Sequence, residues 1–298
     1  MSSVDDLFDI RIANEEPLSD VPDDSELPHG SKVAYACSFG APEATYSFYR
    51  AAGEDGWMYF DEYRDAISLA IEQSVDVLNL SYGEHRGGCH GHCPVCYVTK
   101  KAIAHNITII AAAGNKDEGR PAVFCPAIVE DVIAVSGMVA ECTNSDQSGE
   151  SYTIPVTDGN DDIGNQQRLC GQRGCDGSGD GVCARYLNER PWRKNVSAVG
   201  DKPDVLAPVQ KMGVNDDDDG DVQVQEGTSF AAPLVTGAVA AIYSDLVSDG
   251  VDKPNPYQIR QAVIETARPL GAAADAGVMD GLNTYHKSRE LLQTLADD

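Results

Sequence analysis

The run ITIIAAA, residues 107–113, has almost nothing polar to offer water on either side. A strand that is apolar on both faces must be covered on both faces, and Gly114-Asn115 closes this run at strand length. DVIAVSGMV (131–139) repeats the pattern, VDVLNLSYG (75–83) reads as a strand ending in a glycine turn, and ATYSFYRAA (44–52) fits a short strand. The segments between have helical spacing. In YFDEYRDAISLAIEQ (59–73), Phe60, Tyr63, Ile67, Ala70 and Ile71 share one face; in PVCYVTKKAIAHN (94–106), Val95, Val98 and Ala102 form a stripe. Apolar strands alternating with amphipathic helices predict a three-layer α/β fold, a mostly parallel sheet with helices on both faces and right-handed connections.

A chain of 298 residues can bury a substantial core, and a single domain over 1–298 is expected. Within it, 141–198 is rich in Gly, Asp, Asn and Cys and reads as an irregular insertion. Order returns with WRKNVSAVGDKPDVLAPV (192–209), NDDDDGD (215–221) reads as a solvated acidic loop, and two surface helices close the chain at 256–270 and 282–295. The 48 acidic residues against 22 Lys and Arg leave a net charge of −26. Such a surface repels nucleic acid phosphates and anionic membranes, so neither is an expected partner, and a monomer is expected. Self-repulsion of this size is relieved by salt, which suggests a halophilic setting. A melting temperature that did not rise between low and molar KCl would contradict that. Residues 1–28 are acidic and lack the basic start and apolar stretch of a signal peptide, so the chain as written is expected to be cytoplasmic. The chargeless stretch 227–244 holds too many Gly, Ser, Thr and Pro residues for a membrane span and reads as a core helix.

Ligands of a parallel α/β sheet bind beyond the carboxyl ends of its strands. Two strands end in polar turns there, at Ser81-Tyr82-Gly83 and Gly114-Asn115. Ser229 heads the chargeless helix, where unpaired N–H groups and the helix dipole favour negative charge. Gly227 allows a sharp turn into that helix, and Pro233 is tolerable if it falls in the first turn or so. Taken alone, Gly-Thr-Ser before a helix is also the signature of a plain N-cap.

Four segments in order carry a resemblance. GTSFAAPLVTGAVA (227–240) resembles the serine signature of the subtilisin-like serine proteases, the subtilases; PHGSKVA (28–34) resembles their His-Gly motif; VDVLNLSYG resembles their substrate-pairing strand; and IIAAAGN (109–115) resembles the strand ending in the oxyanion-hole asparagine. DKPDVLAPV (201–209) is similar to the segment before the serine helix, with Val209 where the family usually has Gly. The resemblance implies a subtilisin-like fold and a serine endopeptidase acting on peptide or protein substrates. Ser229 would be the nucleophile, His29 the general base and Asn115 the oxyanion-hole side chain. Ser81, Tyr82 and Gly83 would pair with the substrate strand, while Ala113 and Gly114 would line the side-chain pocket. His85, His90, His92, His105 and His286 lie in no such context. Subtilases are often secreted, which pulls against the cytoplasmic expectation.

The family's catalytic aspartate, in a pattern like V-x-V-x-D-[ST]-G, is not found. VDDLFDIRIANEEPLSD (4–20) is similar instead to the segment that follows it, and Asp5, Asp6 and Asp9 are not assigned. Either the chain starts late relative to the family or another carboxylate substitutes. Two rival readings follow: a catalytically impaired relative that binds extended peptides, and the carboxyl-type serine peptidases. The latter lack a His-Gly motif and have aspartate where Asn115 stands.

No cofactor is required by this chemistry, but structural calcium or zinc is compatible with the loops. Cys89, Cys93 and Cys96 cluster beside His90 and His92, and Cys125 follows in a later loop. They suit either a zinc site or two disulfides, and the resemblance favours disulfides. Cys142, Cys170, Cys175 and Cys183 suggest a second cross-linked patch, and 158–164 and 176–181 partly resemble calcium loops.

Overall fold

The computed structural model describes residues 11–12, 29–49, 51, 58–83, 89, 91–115, 123–145, 151–155, 186–192, 202–208, 212–216, 221–225, 227–269 and 276–296. In chain order, β1 (Arg11–Ile12) precedes α1 (His29–Ser38) and β2 (Ser47–Phe48). Then come α2 (Phe60–Glu72), β3 (Val77–Leu80), α3 (Pro94–Ala104), β4 (Thr108–Ala112) and β5 (Ile133–Ser145). β6 (Ser151–Pro155), β7 (Tyr186–Trp192), β8 (Val205–Pro208), β9 (Met212–Asp216) and β10 (Asp221–Gln225) lead to α4 (Thr228–Ser248). α5 (Pro256–Thr266), β11 (Gly277–Val278) and α6 (Gly281–Ala296) close the chain.

The central sheet runs β11-β8-β5-β4-β3, every pair along that path parallel. Strand β4 shows why. All five of its residues are buried. Ile109 and Ala111 enter a cluster with Tyr63, Ile67, Val95 and Val98 of α2 and α3, while Ile110 and Ala112 enter the opposite one with Val235 and Val239 of α4 and Ile259 of α5. Period-two alternation thus feeds two cores from one apolar run. Truncating Ile109 or Ile110, both fully buried, to alanine would cost about 2–5 kcal/mol. The three-layer α/β expectation is what the structure shows.

The helical stripes hold with one adjustment. Val95, Val98 and Ala102 are buried, as are Tyr63, Ile67 and Ala70, but Ala66 completes the α2 face while Phe60 is exposed. Helix α4 is long and apolar enough to cross a bilayer, yet its residues pack against β3, β4, β5, β8 and α1. It is the core helix between the sheet and α1. Its crossing with α1 is unusually close. A Cβ on Gly237 would lie 2.2 Å from the Cys37 carbonyl oxygen, and one on Gly40 would lie 2.5 Å from the Gly237 carbonyl carbon. Only glycine at both positions lets the backbones meet, and that contact sets the helix starting at His29 against the one carrying Ser229.

Part of the expected irregular insertion is ordered. β5 runs on to Ser145 and pairs antiparallel with β6 and β7. Their β-prone Tyr, Thr, Ile and Trp residues are interleaved with polar ones, so neither strand forms an apolar run. The acidic run NDDDDGD begins in β9 and ends in β10 of an antiparallel hairpin. Strand β1 pairs in parallel with β2 in a separate two-stranded sheet, and β3 ends the central sheet among the described residues. Cys170, Cys175, Cys183 and both calcium-like loops lie outside the described residues, as does the side chain of Cys142.

Candidate active site

Ser229 is the second residue of α4, after Gly227 as N-cap and Thr228. Its hydroxyl lies 3.0 Å from Nε2 of His29, although 200 residues separate them. The plain N-cap reading fails, because the cap position is held by Gly227, which has no side chain to cap with, and Ser229 lies inside the helix. His29 opens α1, is exposed, and turns its ring toward that of Phe230, 5.5 Å away between centroids. Partial desolvation of the imidazole, together with the positive charge of Lys32 one turn on, holds the His29 pKa below its usual value. The ring is therefore neutral near pH 7 and can accept a proton at Nε2. Among the described residues no carboxylate bonds its other nitrogen. Asp5, Asp6 and Asp9 lie outside them.

Lys32 is buried on the inner face of α1, and its Nζ has no hydrogen-bond partner among the described residues. Lys32 and Ala36, four apart, share that inner face, so helical spacing from His29 could have flagged it.

The serine is positioned by its own backbone. Pro233 lies beyond the first turn, contrary to the sequence expectation, and cannot donate to the carbonyl four residues back, which is that of Ser229. The Ser81 hydroxyl supplies that bond, donating to the Ser229 carbonyl oxygen at 2.6 Å. Asn79 donates to Ser81 at 2.9 Å and accepts from Thr236 of α4 at 3.0 Å. This relay joins the end of β3 to the serine helix. Its signal in the sequence was Pro233 itself, which left one carbonyl needing a donor.

Asn115, just past β4, is exposed. Its Oδ1 accepts from the Thr228 N–H at 3.0 Å and from the Thr228 hydroxyl at 3.2 Å, while the Gly114 N–H donates to that hydroxyl at 3.2 Å. With Oδ1 tied to a backbone donor, the amide orientation is fixed and Nδ2 keeps its donors for the site. A Cβ on Gly227 would stand 3.2 Å from Ser229 Oγ and 3.4 Å from Asn115 Nδ2, so the bare glycine keeps open the space between the Ser229 hydroxyl and the Asn115 amide. The Ser229 N–H, in the first turn, has no intrahelical partner.

Ser81, Tyr82 and Gly83 continue past β3 and are half-buried. Gly114, at φ +98°, is in the left-handed region that glycine tolerates. Ala113 is fully buried within the core, its N–H bonded to Val135 and its carbonyl to the Phe124 N–H, so its methyl faces core. Phe124 was missed by the sequence reading. Its side chain lies so close to Gly83 and Gly114 that a Cβ on either would approach it within 2.9 Å and 2.6 Å. His85 and His90 lie outside the described residues; His92 is exposed, His105 bonds the Lys101 carbonyl at 2.8 Å, and His286 stacks edge-on with Tyr285 on α6.

The profile of the subtilase family matches residues 7–285. The chain belongs to the subtilase family. Membrane-bound transcription factor site-1 protease from Rattus norvegicus is 27% identical over 256 residues, covering 83% of this subtilase but 20% of that protein. Tripeptidyl-peptidase 2 from Arabidopsis thaliana is 25% identical over 236 residues, covering 78% of this chain and 15% of its own. The chain thus spans about a fifth or less of these relatives' length. Among solved structures, the self-cleaved protease domain of PatA aligns with a TM-score of 0.63 at 19% identity, over 96% of this chain and 90% of that one, a likeness of fold.

Proposed function

We propose that this subtilase domain is a serine endopeptidase that hydrolyses peptide bonds through an acyl-enzyme on Ser229. The observation that carries the proposal is the 3.0 Å contact between His29 Nε2 and Ser229 Oγ, beside an amide whose donors face the same space. The Ser229 oxygen attacks the substrate carbonyl carbon as its proton passes to His29. The resulting oxyanion is held by Asn115 Nδ2 and the Ser229 N–H. His29 returns the proton to the departing amine, and water, deprotonated by the same imidazole, releases the acid. The substrate chain adds as a strand along Ser81, Tyr82 and Gly83. Phe124 occupies the space between Gly83 and Gly114, so the side chain preceding the scissile bond is small.

The second reading, a peptide-binding relative with impaired catalysis, is favoured by two observations. No described carboxylate orients His29, and Lys32 disfavours the imidazolium that must form during attack. In this family, loss of the aspartate alone lowers turnover by about 3 × 10⁴. A fluorophosphonate probe separates the readings. Covalent labelling of Ser229, abolished by His29→Ala, supports the peptidase; absence of labelling in folded protein supports the binder.

A further inference from the structure

Four cysteines that this chemistry does not use converge beside the substrate rim. Cys93 is the N-cap of α3, Cys96 lies in its first turn, Cys89 precedes both, and Cys125 comes from the segment between β4 and β5. All four sulfurs lie within 4.8 Å of one another. Cys89 and Cys96 are 3.7 Å apart, Cys93 and Cys96 3.4 Å, Cys93 and Cys125 3.6 Å, and Cys89 and Cys125 2.9 Å. Even the shortest separation is well beyond the roughly 2.05 Å of a disulfide bond. All four are free thiols in this structure, so neither of the two disulfides that the resemblance favoured is present.

We propose that Cys89, Cys93, Cys96 and Cys125 bind one zinc ion as a closed structural Cys₄ site. Four sulfurs at a Zn–S distance of about 2.3 Å form a tetrahedron with edges of about 3.8 Å, and three of the four separations above fall within a few tenths of that. A metal explains why every sulfur neighbours every other. Any disulfide pairing would draw together only two of those contacts and leave the others without a cause. On binding, each thiol loses its proton to solvent, and the net charge of the site becomes −2. The Lys100 ammonium sits on the same turn, donating to the Gly91 carbonyl at 2.9 Å, and the α3 N-terminus also favours negative charge. Cys96 and Cys125 are buried in the core cluster containing Tyr63 and Val98, which excludes competing water.

The site has a mechanical role. It ties the segment leading from Gly83 into α3 to the residue following Phe124, whose ring closes on Gly83 and Gly114. Zinc therefore clamps the floor of the substrate rim without touching the reacting atoms.

The test is metal analysis of the full chain purified with its cysteines reduced. One zinc per chain, released by a mercurial into a colorimetric chelator, is expected. Replacement by cobalt should give the visible bands of a tetrahedral tetrathiolate. Cys125→Ser and Cys96→Ser should lose the metal, while Cys37→Ser should keep it. The measurements on the unmodified chain stand even if a ligand variant fails to fold. Metal-free folded protein, with the four cysteines either free or joined in disulfide-linked peptides, would overturn the proposal. So would one iron per chain in place of zinc.

Discussion

Two polar clusters in this molecule treat their charges in opposite ways. Around Asp204, in the segment entering β8, the carboxylate is buried and both oxygens are used: one accepts from the Ala134 N–H at 2.8 Å and from Lys202 at 2.5 Å, the other from Arg260 of α5 at 2.6 Å. Lys202 also donates to the Val132 carbonyl, and its burial pushes its pKa down to about 8. Around His29, one ring nitrogen and the Lys32 ammonium have no partner among the described residues. The first cluster fastens α5 and β8 to β5, and a fastening works best when its acceptor is saturated. The second would change charge during the proposed reaction, and its groups are held in place without being fully engaged. The contrast lies in the central acceptor, since the Asp204 carboxylate is saturated although Arg260 Nε beside it has no partner among the described residues.

Variants can break this contrast. The largest effect belongs to Ser229→Ala, which should abolish probe labelling and lower turnover by about 10⁶-fold relative to an intact site, the scale of nucleophile loss in this family. Its melting temperature should stay near that of the parent. Asp204→Ala should do the reverse, costing about 3–5 kcal/mol in denaturant unfolding by leaving two cations without their carboxylate, while labelling per folded molecule is retained. Asn115→Ala should lower kcat about 10²–10³-fold with little change in KM, because in the proposed mechanism its donors engage only the developing oxyanion. If KM rises instead, the amide serves the ground state.

Two smaller effects sharpen the comparison. Removing a cation beside an imidazole favours the protonated ring, so Lys32→Gln should raise the His29 pKa. The acid limb of kcat/KM, below the usual imidazole range in the parent, should move to higher pH in the variant. An unmoved limb would mean that desolvation alone sets the shift. Phe124→Ala should widen the space between Gly83 and Gly114 and transfer preference toward larger side chains, by about 10–200-fold in relative kcat/KM. An unchanged profile would locate the pocket elsewhere.

Much of the architecture was legible in the chain. The apolar runs at 107–113 and 131–139 have no stable use except inside a doubly covered sheet, and the stripes of α2 and α3 follow from local spacing. The strands β6 and β7 escaped because their residues form no continuous apolar run and their partners lie on the extension of β5. The four motifs nominated Ser229, His29 and Asn115. They did not reveal Ser81 as the donor replacing Pro233, nor Phe124 against the two glycines, since both contacts cross between distant segments.

The sequence by itself determined which segments are apolar on one side or two, where helices begin, and which residue types could do acyl-transfer chemistry, because these depend on neighbours within a turn or two. Only the tertiary structure decided that His29 meets Ser229, that Thr228 turns the Asn115 amide, and that four thiols share one point. Each of these depends on how closely packed elements approach. At Gly40 and Gly237 that approach rests on the absence of a single carbon atom, a feature with no periodic signature along the chain.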